Sequence, residues 1–118
     1  SPSRGLGDVY KRQNLLTANP DKDSVTAIFA AWDEPAIGAA KALAEAGRDE
    51  VIVTGVDGNE QAVQMIKDGS CLKATVKQNF EGMAEIVCQQ MKKYYAGDTI
   101  EKGEMYAPAE LITQENAQ

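Results

Sequence analysis

The fold is decided by residues 27–56, which read "AIFAAWDEPAIGAAKALAEAGRDEVIVTGV". The opening residues have strand length and composition, and the closing "VIVTGV" is the nearly continuous apolar run of a strand buried on both faces of a parallel sheet. Between them we expect a helix, with Asp33 suited to cap its free N–H groups, Pro35 suited to its first turn and Gly47 to its end. This order predicts a βαβ unit with a right-handed crossover.

The alternation of strands and helices continues on both sides of this unit. Residues 57–69, "DGNEQAVQMIKDG", predict a turn and a helix, and residues 72–78, "LKATVKQ", predict a strand with one open face or at a sheet edge. Upstream, residues 13–21, "QNLLTANPD", predict the last turns of a helix that ends at the Asn-Pro pair. Residues 1–12 show neither helical nor strand periodicity, and we interpret them as a disordered or non-native lead-in.

The clearest helix is predicted for residues 80–95. Asn79 is suited to cap its start and Gly97 to end it. Its apolar residues recur three or four positions apart on one stripe, namely Phe80, Met83, Ala84, Val87, Cys88, Met91 and Tyr95. A short apolar piece, "LIT" (111–113), follows a stretch of low periodicity. The whole pattern predicts the α/β class, with a parallel sheet of βαβ units.

Composition narrows the range of functions. The chain has 118 residues and a net charge of −6, so we expect no basic surface for nucleic acid. No apolar run approaches the roughly 20 residues that span a bilayer, so we expect no membrane-spanning helix. Histidine is absent, and Cys71 and Cys88 form no Cys-x-x-Cys motif, so we expect buried thiols rather than a zinc or redox site. With no nucleophile–base pair in view, we expect no catalytic residues, no metal and no cofactor.

Three polar or aromatic residues follow the predicted strands: Trp32, Asp57 and Gln78. Ligands of open parallel sheets bind beyond the carboxyl ends of the strands, so these residues should line one rim. Trp32 is suited either to cover the apolar face of a sugar ring or to plug the strand ends as a hydrophobe. Asp57 is suited to accept hydrogen bonds from adjacent hydroxyls, although aspartate before glycine is also turn chemistry, and Asp57 or Asn59 is suited to cap the next helix.

These segments together resemble a known family. "QNLLTANPD", "AIFAAWDEPAIGAAKALAEAG", "VIVTGVDGNEQAVQMIKDG" and "LKATVKQ" are similar to the carboxyl-terminal half of the sugar-binding proteins of ABC transporters, the ribose- and galactose-binding type within the type I periplasmic binding protein family. The resemblance implies a two-lobed protein that closes around a sugar or sugar alcohol and delivers it to an ABC transporter permease. It also implies a periplasmic location, or an extracellular, lipid-anchored one in a single-membrane bacterium, and a chemotaxis receptor as a further partner.

The resemblance also assigns roles to residues. It places an acid for sugar hydroxyls at Asp57 and an amide near the hinge at Gln78. The family usually has asparagine where this sequence has Trp32, so the identity of the sugar stays open at that position. The chain would be a carboxyl-terminal fragment whose parts are a ligand-binding lobe (13–78), a helix and connection of the absent second lobe (79–104) and a return segment to the first lobe (105–118).

Two alternatives carry other functions. The same fold is used by the effector domains of repressors resembling the lactose repressor, where sugar binding controls DNA binding. Those proteins usually carry longer links with proline at places where "AGRDEVIVTGVDG" and "IKDGSCLKATVKQ" are short and proline-free, so the transporter type is favoured. The other alternative is a flavodoxin-like enzyme or phosphoacceptor with Asp57 as the reactive carboxylate.

Overall fold

The structure is a computed structural model that describes residues 11 and 13–118. Residues 13–18 are helical, which confirms the helix predicted before the Asn-Pro pair. The elements that follow are β1 (Ala27–Phe29), α1 (Asp33–Glu45), β2 (Ile52–Asp57), α2 (Glu60–Lys67), β3 (Leu72–Lys77), α3 (Phe80–Tyr95) and β4 (Glu110–Thr113). The lead-in predicted for residues 1–12 lies outside the described residues, except at residue 11, which is helical. Within the described part, no helix combines the length and apolarity needed to cross a membrane.

The described residues form two compact units. The larger unit contains the chain up to Lys77 together with Leu111–Gln118, and the smaller unit is Gln78–Glu110. The assignment of residues 79–104 to a second lobe, and of 105–118 to a return segment, stays a prediction.

The larger unit is built on a sheet with the strand order β1-β2-β3-β4. β1 pairs with β2 and β2 with β3, both in parallel, as βαβ units require. The core lies against α1 and α2, where small alanines on α1 allow the helix to approach the sheet closely. Its fully buried members include Leu43, Val51, Val53, Ile66 and Leu72. The predicted α/β class with a parallel sheet is therefore confirmed.

β2 is less buried than predicted. β2 was expected to be buried on both faces, but Ile52 is exposed and Val56 only half-buried, and the neighbouring Phe29 of β1 is 77% exposed. The face of the sheet that carries Phe29 and Ile52 is therefore partly exposed within the described residues. β3 lies between β2 and β4, so of the two options predicted for it the sheet edge is excluded, and the strand with one open face remains.

A β-bulge explains a second departure in β3. Val53 pairs with Leu72 but Thr54 pairs with Ala74, so one extra residue stands in β3. Simple alternation would group Thr75 with the exposed Lys73. Because the bulge reverses the faces, Thr75 is buried with Leu72.

The smaller unit contains α3 at the predicted bounds. The Asn79 side chain accepts a hydrogen bond from the Gly82 N–H at 2.9 Å, which confirms the predicted cap. None of the described residues of α3 is buried. The prediction of buried thiols is therefore correct for Cys71, where burial raises the pKa, and wrong for Cys88, which is exposed on α3.

Candidate ligand-binding site

Two of the three predicted site residues lie at the carboxyl ends of neighbouring strands. Trp32 precedes α1 in extended backbone conformation and its side chain is 51% exposed. Asp57 is the last residue of β2, half-buried, and pairs with Lys77 of β3. Because β1 and β2 are parallel neighbours, the segments that follow them leave the sheet at the same end, the carboxyl end of the strands.

A buried carboxyl group joins these two segments directly. Asp33, the residue after Trp32, is 0% exposed. Its Oδ2 accepts a hydrogen bond from the Asn59 backbone N–H at 2.8 Å, and its Oδ1 accepts one from the Thr75 hydroxyl at 2.6 Å. Thr75 Oγ1 in turn accepts from the Gly58 N–H at 3.2 Å. The first residue of α1, the turn after β2 and strand β3 are thus joined by one polar network.

This network corrects the role expected for Asp33. Asp33 was expected to cap α1, but the helix begins at Asp33 itself, and the preceding Trp32 makes no side-chain cap hydrogen bond. The carboxyl group turns inward instead. Gly55 makes room for it, since a Cβ at that position would lie 2.5 Å from Asp33 Oδ1.

The turn that carries Asp57 is conformationally unusual. Asp57 has φ 132°, and Gly58 follows with φ 75°. A non-glycine residue in this region costs about 1 to 3 kcal/mol and persists only when its surroundings hold it. Gly58 also lies against β3, where an added Cβ would be 2.7 Å from Lys77 Cβ. Of the two residues considered for the next cap, Asn59 accepts from the Ala62 N–H at 2.8 Å and caps α2.

Gln78 belongs to the smaller unit. It is half-buried and directly follows Lys77, the last residue of β3. Its grouping with Trp32 and Asp57 around one ligand stays a prediction.

Sequence reasoning missed Asp33 and Thr75 as a pair. The available signal was Gly55, a glycine in the middle of an apolar strand, which often marks the close approach of another group. Thr75 gave no signal, because its inward direction depends on the bulge in β3. Within residues 11 and 13–118, no group of three or more acidic, cysteine or histidine side chains is arranged to hold a metal ion.

The chain is similar in sequence and fold to known proteins. The sequence profile of the periplasmic binding protein domain matches residues 10–99. The chain belongs to this family. This periplasmic binding protein domain is 50% identical over 66 residues to the ribose import binding protein of Salmonella typhimurium. The alignment covers 56% of this chain and 21% of that protein.

Longer alignments reach other members of the family. The D-apiose import binding protein of Actinobacillus succinogenes is 32% identical over 108 residues, which cover 91% of this chain and 34% of that protein. A solved ABC transporter solute-binding protein from Agrobacterium vitis, with bound allitol, superposes with a TM-score of 0.87 at 32% identity, over 96% of this chain and 39% of that one. This periplasmic binding protein domain therefore spans about a fifth to a third of the length of the curated relatives it matches. These relatives do not favour the repressor alternative.

Proposed function

We propose that this chain is the carboxyl-terminal part of a solute-binding protein that captures a sugar or sugar alcohol between two lobes for import by an ABC transporter. The proposal is supported by relatives named for the import of ribose and of D-apiose, and by a solved relative with bound allitol. These compounds share several adjacent hydroxyl groups.

The observation that carries the proposal is the placement of Asp57. It stands at the carboxyl end of a central parallel strand, in a strained backbone conformation, on a turn held by hydrogen bonds to the buried side chains of Asp33 and Thr75. Strained residues cluster at ligand sites because the surrounding structure maintains a geometry that the free chain avoids. A carboxylate has two acceptor oxygens, and adjacent sugar hydroxyls present two donors.

Trp32 and Gln78 complete the proposed site. The half-exposed indole of Trp32 offers a flat apolar surface to the C–H face of a sugar ring. Gln78 contributes an amide that both donates to and accepts from hydroxyls. Because the ligand contacts both lobes, it favours the closed conformation of the complete protein.

Binding is tested first in the complete protein. A thermal-shift screen against pentoses, hexoses and polyols, including D-ribose, D-apiose and allitol, identifies compounds that raise the melting temperature. A compound present at 100 times its Kd adds about 2.7 kcal/mol to the free energy of unfolding.

Calorimetric titration then tests Asp57. Asp57→Ala is expected to weaken sugar binding by about 1 to 3 kcal/mol, roughly 5- to 150-fold, because ligand hydroxyls lose their acceptor in a closed site. Asp49→Ala is the control, since it removes an exposed acid before β2, at the opposite end of that strand. Equal affinities for wild type and Asp57→Ala would rule out Asp57 as a ligand residue.

The cellular setting is part of the same proposal. The complete protein would act in the periplasm, or lipid-anchored outside a single-membrane bacterium, with a permease and a chemotaxis receptor as partners. Fractionation of cells that express the complete gene tests the location, and sugar uptake after deletion of that gene tests the link to transport. Unchanged uptake of the sugar that binds would contradict the transport role.

A further inference from the structure

A network of three hydrogen bonds holds the turn that follows Asp57. Two successive backbone N–H groups follow Asp57, those of Gly58 and Asn59. The Asn59 N–H donates directly to Asp33 Oδ2, and the Gly58 N–H reaches Asp33 through the Thr75 hydroxyl. Both peptide units after the strained residue are thereby fixed to buried side chains.

The placement of Asp33 is difficult to explain as packing alone. A buried carboxyl group is costly unless its oxygens are hydrogen-bonded, and an apolar side chain would fill the same volume without that cost. The neighbouring strand also gives up a side chain for it, because any Cβ on residue 55 would lie within 2.5 Å of Asp33 Oδ1. Three positions on separate segments, Asp33, Gly55 and Thr75, thus accommodate one another at this turn.

We propose that Asp33 and Thr75 are positioning residues for sugar binding, which hold the Asp57 turn in its strained conformation so that the Asp57 carboxyl group meets the sugar hydroxyls without reorganisation. The inference rests on the proposed function, because it needs Asp57 to contact the sugar. Pre-organisation raises affinity, since a turn that is already ordered loses little freedom when the sugar binds. Neither Asp33 nor Thr75 needs to touch the sugar.

The test compares two substitutions of one residue in the complete protein. Thr75→Val keeps the shape of the side chain but removes the hydroxyl that links Gly58 to Asp33, whereas Thr75→Ser keeps the hydroxyl. Each variant is titrated calorimetrically with D-ribose, D-apiose and allitol. We expect Thr75→Val to weaken binding at least tenfold and Thr75→Ser to restore most of the affinity.

A second measurement separates positioning from general destabilisation. Val51→Ala removes buried apolar volume next to the opposite end of β2 and should lower the melting temperature without changing affinity. Hydrogen exchange of the Gly58 and Asn59 amides, followed by NMR, should accelerate in Thr75→Val and not in Val51→Ala. Should Thr75→Val fail to fold, Asp33→Ala is the second variant, because it removes both of the oxygens that accept from the Asn59 N–H and the Thr75 hydroxyl.

The outcomes distinguish the two proposals. If Asp57→Ala loses affinity while Thr75→Val and Asp33→Ala bind as tightly as Val51→Ala, the positioning role is wrong and the binding role of Asp57 stands. If no sugar of the panel binds the wild type, or if Asp57→Ala binds normally, the proposed site is wrong and the positioning role falls with it. Loss of affinity in Asp57→Ala and Thr75→Val, with recovery in Thr75→Ser, supports both.

Discussion

In the larger unit, α1 packs its small and apolar residues into a core, whereas in the smaller unit none of the described residues of α3 is buried. Both helices were recognisable from the sequence, α1 from the residues suited to begin and end it and α3 from its apolar periodicity. Leu43 of α1 is 0% exposed and Val87 of α3 is 56% exposed. The comparison shows that periodicity predicts a helix and the direction of its apolar face, while burial depends on what lies opposite that face.

The largest effect is expected at Leu43, the buried residue of this comparison. Leu43→Ala should lower the free energy of unfolding of the larger unit by about 2 to 5 kcal/mol, because it removes fully buried methyl groups and leaves a cavity. Val87→Ala should change the free energy of unfolding of the smaller unit by less than about 0.5 kcal/mol, as is usual for exposed positions. Urea unfolding of the 118-residue chain measures both, with fluorescence of the single tryptophan, Trp32, reporting on the larger unit and helical circular dichroism reporting on α3.

Similar costs for the two substitutions would contradict the comparison. That result would mean that Val87 is packed in solution against a surface that the described residues of the smaller unit do not provide. Light scattering on the same samples is the control, since self-association would cover Val87 only above a threshold concentration.

Local features of the fold were predictable because they depend on neighbours in sequence. The bounds of α3, its Asn79 cap and the turn at Gly47 follow from side chains within three or four residues of the feature. The carboxyl-end position of Asp57 was also predictable, because strand order in βαβ units leaves few alternatives.

Features that depend on distant segments were not predictable from periodicity. The inward direction of Thr75 results from a bulge whose position is set by pairing with β2, and the role of Asp33 depends on Asn59, 26 residues away. The exposure of Phe29 and Ile52 has the same origin, since it reflects which segments cover that face of the sheet.

The two units also differ in the range of their polar contacts. In the smaller unit, the Asn79 cap and the hydrogen bond from the Tyr106 hydroxyl to Glu104 join residues two or three positions apart. In the larger unit, buried Arg48 donates to the carbonyl oxygens of Asn19 (3.0 Å), Asp21 (3.1 Å) and Lys22 (3.4 Å), more than 25 residues away. Arg48 therefore fastens the segment before β1 to the end of α1.

Arg48→Met tests whether this long-range contact contributes to stability. It keeps much of the apolar length but removes the donors, so we expect the free energy of unfolding to fall by about 2 to 3 kcal/mol. Tryptophan fluorescence in urea measures the change. A change below about 0.5 kcal/mol would mean that water replaces the guanidinium at little cost.

Glu50→Gln is the control, because Arg48 Nε also donates to Glu50 Oε1 at 2.6 Å. This hydrogen bond lowers the pKa of Glu50 below its ordinary value. Its contribution is therefore complete above the ordinary pKa and is lost as the pH falls through the lowered one. Because Glu50 is exposed, we expect Glu50→Gln to cost less than Arg48→Met, and the difference in stability between Glu50→Gln and wild type to narrow on acidification.

The smallest effect comes from placing the same substitution in both units. Asn59 caps α2 and Asn79 caps α3, each by accepting a hydrogen bond from the N–H three residues ahead. Asn59→Ala should lower the free energy of unfolding followed by Trp32 by about 1 kcal/mol, because α2 is packed into the cooperative core. Asn79→Ala should leave that transition unchanged and reduce helical circular dichroism instead, since α3 buries no described residue. If Asn79→Ala shifts the Trp32 transition as much as Asn59→Ala does, the two units unfold as one, and the contrast between them applies to packing but not to stability.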